Sequence, residues 1–236
     1  MSLVCPYGRT TCALQVGGLW LLGAGLGVGL ASAGLAHLAP LAALPFGFGL
    51  FVLSFYRDPE RSGPDDPELL LSPADGVVTD IGEVDEPHYL GGRALRVGIF
   101  LSPLNVHVNR VPAAGVVETV HHQPGKCLPA TGPRCIDENE ATLLGLRTAD
   151  GLRLGLRQVT GALARTIVCG VQPGTKLARG ERYGMIKLGS RTELLLPLDA
   201  GFEPAVTIGQ AVRGGLTVLG RVRARERAGA AGEVAA

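Results

Sequence analysis

Charge is missing where its absence says most: from Thr10 to Tyr56 the chain contains no Asp, Glu, Lys or Arg. A helix on the surface of a soluble domain needs a polar face, so a run of this length excludes an ordinary water-exposed segment. Elsewhere the charges balance, 22 basic against 21 acidic for a net +1, and no field steers DNA or RNA to the chain. No nucleic-acid partner is expected. Aromatics are scarce at 5% while Gly (35) and Pro (16) are plentiful, which favours tight turns over long packed helices. Cysteine is sparse and odd in number, five without a C-x-x-C pair. That excludes a disulfide framework or zinc knuckle and leaves reduced, cytosol-facing thiols.

What is present is strongly apolar, 46% hydrophobic against 18% charged residues, too apolar for a disordered chain. Leu14 to Ala36 is 23 residues, about 35 Å as a helix at roughly 1.5 Å per residue, enough to cross a bilayer core. Leu41 to Tyr56, 16 residues, is short for a crossing, and Pro40 and Pro45 bracket a break between the two pieces. Arg9 on one flank, with Arg57 and Arg61 on the other, draws both ends to the cytoplasmic side. The expectation is a helical hairpin, spanning or re-entrant, in the cell (inner) membrane with the rest of the chain in the cytoplasm. A cleaved signal peptide fits less well, because its apolar core is shorter and no second apolar piece follows it. Deleting residues 10 to 56 should then release a soluble domain.

Beyond the polar stretch Asp58 to Glu68, short apolar runs recur between Gly and Pro breaks, the pattern of a β-rich domain. Asp150-Gly151 lies between alternating runs at Leu143 to Thr148 and Leu152 to Val159, a hairpin signal because Gly tolerates positive φ in a tight turn. No sustained helical period appears between Arg57 and Leu219, so helices there should be few and short. Three regions follow: residues 1–57 as the membrane hairpin, 58–220 as a β-rich catalytic domain, and 221–236 as an Arg/Ala/Gly-rich flexible tail.

Four segments join reactive side chains to turn chemistry: Ser72 to Gly76, Ser102 to Arg110, His121 to Lys126, and Gly184 to Arg191. No metal is expected, since the adjacent His121 and His122 point apart on a strand and no acidic or Cys partner sits at a useful interval. Ser190, His107 and Asp75 make an available Ser/His/Asp set, because a serine hydroxyl needs a base at neutral pH. Ser190 lacks the G-x-S-x-G elbow, which disfavours an α/β-hydrolase. A membrane-tethered serine hydrolase and a non-catalytic β-sandwich binding module stay open on these residues alone.

Taken together and in order, the segments resemble the phosphatidylserine decarboxylase family, in its short bacterial and archaeal branch. The likeness is carried by FYRDPER (Phe55 to Arg61), SPADG (Ser72 to Gly76), FLSPLNVHVNRVPAAG (Phe100 to Gly115), HHQPGKCLPA (His121 to Ala130), ENE (Glu138 to Glu140) and ERYGMIKLGSRTELLLP (Glu181 to Pro197). It covers roughly Ala13 to Leu219. Separately, the strand, turn and glycine pattern, particularly around SPADGVVTDI and IGQAVRGGLTVLGRV, resembles the flattened β-sandwich of lipoyl and biotinyl domains, so the expected fold is mainly β, a β-sandwich of barrel-sandwich character behind the helical hairpin. A carrier role itself is removed, as no Lys follows position 187 to hold a prosthetic group.

The family resemblance implies a proenzyme that cuts itself between Gly189 and Ser190, with Ser190 becoming a covalent pyruvoyl cofactor. The Ser190 hydroxyl would attack the Gly189 carbonyl to give an ester, elimination would leave dehydroalanine, and hydrolysis would release ammonia. His107, polarised by Asp75, would be the base. The pyruvoyl would then form a Schiff base with phosphatidylserine and take up the electron pair freed as carbon dioxide leaves, giving phosphatidylethanolamine. Implied partners are a membrane phospholipid and the two cleaved chains, 1–189 and 190–236, held as a heterodimer, with a higher oligomer open. A related lipid such as archaetidylserine is an alternative substrate. Lys126, Lys187 and His122 are candidates for holding the phosphate or carboxylate. The longer branch of the family has a second His where this chain has Arg110, so either His107 serves both processing and decarboxylation or His122 shares the work. Arg191 also differs from the Thr of the longer branch, though it agrees with the short branch.

Overall fold

The computed structural model describes residues 4–130, 132, 134–162, 166–187 and 190–223. A 3-10 turn at Pro6–Gly8 leads into α1 (Arg9–Ser32), and a 3-10 stretch at Ala36–Ala42 continues into α2 (Ala43–Phe55). The 24 residues of α1 span about 36 Å at ~1.5 Å per residue. The return arm spans about 34 Å, since its 3-10 part rises ~2.0 Å per residue. Both arms are long and apolar enough to cross a membrane. The reversal falls at residues 33–35, upstream of the break expected at Pro40 to Pro45. Gly34 supplies the left-handed φ of +74° there, whereas Pro45 sits in the first turn of α2, where a missing N–H costs no helical bond.

Glycines let the arms interlock: a Cβ on Gly23 would meet the Phe46 ring at 2.7 Å, and one on Gly49 would meet Trp20 Nε1 at 2.4 Å. Leu14, Leu21, Leu22, Val28, Leu44 and Leu50 face outward, each more than half exposed. An apolar outer face on a glycine-locked hairpin suits lipid.

The remainder is mainly β. In chain order the strands are β1 (Leu69–Leu71), β2 (Gly76–Glu86), β3 (Gly92–Leu101), β4 (Val108–Arg110), β5 (Gly115–Gln123), β6 (Ala141–Arg147) and β7 (Arg153–Val159). They continue with β8 (Thr166–Cys169), β9 (Lys176–Leu177), β10 (Arg182–Lys187), β11 (Ser190–Pro197), β12 (Phe202–Pro204), β13 (Ala211–Val212) and β14 (Val218–Val222). Among the described residues the only α-helix after the hairpin is the one-turn α3 (Cys135–Glu138). An eight-stranded antiparallel sheet, β13-β2-β3-β11-β7-β6-β5-β9, curls into a half-barrel, and two three-stranded sheets, β1-β14-β12 and β4-β10-β8, accompany it. The main core gathers Val97, Ile99, Leu144, Leu156, Leu194 and Leu196 from the large sheet with Leu70, Tyr183 and Leu219 from the small ones. The β6–β7 hairpin turns at Gly151, φ +85°, as its Asp-Gly pair indicated.

Strand β11 shows how the pleat sorts chemistry. Leu194 and Leu196 enter the core while the odd-numbered Arg191 and Glu193 lie on the other face, so Ser190 and Thr192 share the core-facing parity. Arg191 is clamped there, donating to Glu193 (2.7 Å), Thr79 (2.7 Å) and Asp80 (2.5 Å). It lies flat over Gly98, where a Cβ would come within 1.9 Å of its Nη2. At the far end, β14 runs to Val222 and Arg221 pairs with Glu68 at 2.7 Å. Of the tail expected from 221 onward, residues 224–236 lie outside the described ones.

Candidate active site at the foot of the helical hairpin

The FYRDPER segment fastens the hairpin to the β region. Phe55 and Tyr56 are buried with Cys5, Cys12 and Val16 against Val106, Val108 and Met185. The next residues spend their charge on anchoring: Asp58 is buried and pairs with Arg110 at 2.7 Å and with Arg182 at 2.5 Å, and Glu60 pairs with Arg182 at 2.9 Å. Arg110 is only 3% exposed and also donates to the carbonyls of Pro59 and Gly180, both at 3.0 Å. The position that interrupted the family pattern therefore carries a structural ion pair. Arg110 is a fastener, and no base is lost into solvent there.

This docking puts the foot of α2 on His107. The Phe55 and His107 rings lie 4.3 Å apart, and His107 is fully buried. Its Nδ1 is 3.0 Å from the Asn105 carbonyl, and its own carbonyl accepts from Ile186 N–H on β10. Burial drives the imidazole pKa down from 6.5 to about 4; the Asn105 carbonyl opposes that shift, Arg57 adds to it and Asp75 opposes it. At neutral pH the ring is therefore an unprotonated acceptor.

Asp75 is fixed by its turn. A Cβ on the following Gly76 would lie 2.0 Å from the Phe100 carbonyl oxygen, so the chain must be glycine to tuck under β3. The Asp75 carboxylate accepts from Arg61 at 2.5 and 2.9 Å and from Gly214 N–H at 2.8 Å. Its action on His107 is through the field across the site, not through its described hydrogen bonds.

Ser190 opens β11, paired with Leu101 of β3, and is fully buried. Its Oγ has no hydrogen-bond partner among the described residues. An orphaned buried hydroxyl is costly and rare, and points to a use. The stretch around His107 reaches the same strand: Asn109 donates to Thr192 Oγ1 at 2.9 Å and accepts from Gln158 at 2.8 Å. Gly189, the other half of the expected cleavage site, lies outside the described residues.

The remaining candidates are held elsewhere. Lys126 is exposed and pairs with Glu138 at 2.7 Å, Lys187 donates to Thr11 on α1 at 3.2 Å, and the half-exposed His122 ring approaches Thr142 and Glu140. None of the three lines the cavity of about 680 Å³ beside Asp75. That cavity is walled instead by Arg57, Arg61 and Arg213 with Gly76, Phe100, Ser102 and Asn105. Sequence reasoning did not select these arginines as ligands, although Arg57 and Arg61 stood inside a quoted motif.

Fold and site together define a β protein seated on an apolar helical hairpin, with a buried histidine under the hairpin foot and a buried aspartate and serine in the β region. A profile of the family described as phosphatidylserine decarboxylase matches residues 48–220. The proteins named phosphatidylserine decarboxylase proenzyme in Salinibacter ruber and Carboxydothermus hydrogenoformans are 46% and 45% identical to it over 78% of this chain, covering 81% and 85% of their own lengths. That of Trichlorobacter lovleyi is 40% identical over 94% of this chain and 97% of its own. The chain belongs to the phosphatidylserine decarboxylase family.

Proposed function

We propose that the chain is a self-processing decarboxylase of phosphatidylserine, with Ser190 as the cofactor precursor, His107 as the processing base and Asp75 as the residue that sets the field around it. The observation that carries this reading is the buried Ser190 hydroxyl at the head of β11, without a hydrogen-bond partner among the described residues, in a member of a family whose relatives are named proenzymes. A hydroxyl kept out of water and without an acceptor is ready to attack the neighbouring Gly189 carbonyl once a base takes its proton. A neutral His107 supplies that base. Ester formation, loss of the Ser190 α-proton and hydrolysis with release of ammonia convert the residue.

The environment fits a small covalent ketone: Ser190 is fully buried, and two residues along β11 Thr192 joins Asn109 and Gln158 in a network of neutral donors and acceptors. When formed, the pyruvoyl group supplies an electrophilic carbonyl for the substrate amine and an electron sink for decarboxylation. Around it, His107 holds and returns protons, and Arg61 holds the Asp75 carboxylate in place. After cleavage the two chains stay joined by β pairing. Residues 190–197 of β11 pair with β3 and five of them with β7, β13 pairs with β2, and β14 pairs with β1. The shared feet of the hairpin, Arg9 and Arg57, support a catalytic region on the cytoplasmic side of the inner membrane.

Ser190→Ala should remain one inactive chain on a denaturing gel, whereas the wild type should give two. The fragment beginning at 190 should resist Edman sequencing, and borohydride should abolish decarboxylation. A free Ser190 amino terminus with full activity, or activity in uncleaved Ser190→Ala, would sink the proposal.

A further inference from the structure

We infer that Arg57 and Arg213 form the subsite for the phosphodiester of the lipid headgroup, in the cavity beside Asp75. The inference rests on the reading of the substrate as a glycerophospholipid and goes further in assigning its anion. The charges lining that cavity are Arg57, Glu60, Arg61, Asp75 and Arg213. Arg61 is committed to Asp75, and Glu60 to Arg182. Among the described residues, two positive charges are left without a carboxylate. Arg57 donates there to neutral oxygens, to Ser54 O at 2.8 Å, Ser54 Oγ at 3.2 Å and Leu104 O at 2.6 Å. The exposed Arg213 side chain has no hydrogen bond or ion pair among the described residues.

Position selects the ligand. Arg57 stands two residues beyond the end of α2, where a membrane-spanning helix gives way to headgroups, so its guanidinium sits at the depth of lipid phosphates. A guanidinium matches a phosphate diester by its paired N–H geometry, and a cavity with two uncompensated ones favours an anion over a neutral polyol. The same cavity reaches Asn105 and Val106, next to His107, so a lipid held by its phosphate here presents its serine end toward the buried site. Lys126 and Lys187, tied to Glu138 and Thr11, offer no comparable pair.

The test uses full-length protein in a nonionic detergent, titrated with glycerophosphoserine and, separately, with inorganic phosphate, by calorimetry. Arg213→Gln and Arg57→Gln should each weaken glycerophosphoserine binding about tenfold or more, as loss of a charge-assisted contact implies. Arg213→Lys should recover part of the loss, and inorganic phosphate should bind more weakly than the headgroup. In turnover, KM for phosphatidylserine should rise in these variants, and in Arg213→Gln it should rise several-fold more than KM for a phosphate-free serine ester. Arg213→Gln breaks no described side-chain contact and decides the matter if Arg57→Gln does not fold. Headgroup binding that depends on both arginines in a protein releasing no carbon dioxide would support this subsite and remove the decarboxylase reading. Unchanged binding and KM in Arg213→Gln, or equal effects on both substrates, would overturn the subsite.

Discussion

The acidity of His107 gives the sharpest test of the site. If the imidazole kept its ordinary pKa near 6.5, lowering the pH from 7 to 5.5 would leave about 9% of it neutral; with the depressed value of about 4, about 97% stays neutral. A processing step that needs neutral His107 should therefore proceed at pH 5.5 within a few per cent of its rate at pH 7, where an exposed histidine would lose about tenfold. Cell-free synthesis of the wild type, a pH jump during the chase and densitometry of the two fragments would measure this. The rate should fall only as pH approaches 4. A midpoint near 6.5 would refute the claim that burial under Phe55 sets the pKa.

The same burial has a cost in stability. His107 is depressed in the folded state, so between pH 4 and 6.5 the unfolded chain binds the extra proton. Stability from this group is present in full above pH 6.5 and is lost as pH falls, reaching on the order of 3 kcal/mol below pH 4. His107→Phe should flatten that part of the melting profile while blocking self-cleavage. A wild-type profile as flat as the variant's would contradict the buried neutral ring.

Other substitutions probe the fastenings. Asp58→Ala leaves Arg110 buried without its carboxylate and should cost about 3–5 kcal/mol, read as a lower melting temperature, with the hairpin foot more open to protease. Gly98→Ala drives a methyl into Arg191, which its three hydrogen bonds keep from moving, and should cost at least ~1–3 kcal/mol in thermal unfolding. Gly76→Ala should lower the yield of cleaved chain, because the turn that presents Asp75 cannot pass under Phe100. Lys126→Ala and Lys187→Ala should leave KM for lipid unchanged in a mixed-micelle assay.

Much of this was legible in the sequence because the signals were local. The β6–β7 hairpin follows from Asp-Gly between alternating runs, and the paired apolar arms follow from an uncharged run too long for one crossing. The turn at Gly34 was not legible: proline announces itself, while a glycine among many declares its φ only when the arms pack. Ser190, His107 and Asp75 could be proposed as residue types, yet what surrounds them depends on contacts between residues 14 to 52 positions apart. Arg61 holds Asp75, Phe55 covers His107, and Arg110 turns out to be the partner of Asp58. That Lys126, Lys187 and His122 lie outside the cavity beside Asp75 was not legible for the same reason, and the arginines that line it could be told from the others only by subtracting those already paired.

The hairpin and the site are thus one packing unit, and this changes where the chain can be cut. Removing residues 10 to 56, as the charge pattern alone recommends, would take away Phe55 and Tyr56 and expose Val106, Val108 and Met185 together with the His107 ring. Loss of a buried Phe alone costs about 3–5 kcal/mol, and hydration of His107 would move its pKa back toward 6.5. A deletion of residues 17 to 48, closed by a short Gly/Ser linker, keeps Cys5, Cys12, Val16 and α2's last turn on the β region. That version should cleave itself with the low-pH tolerance of the full chain and act poorly on bilayers. The 10–56 deletion should cleave slowly, with a pH midpoint shifted upward. Equal cleavage and equal pH profiles in the two deletions would show that the hairpin foot has no part in tuning the base.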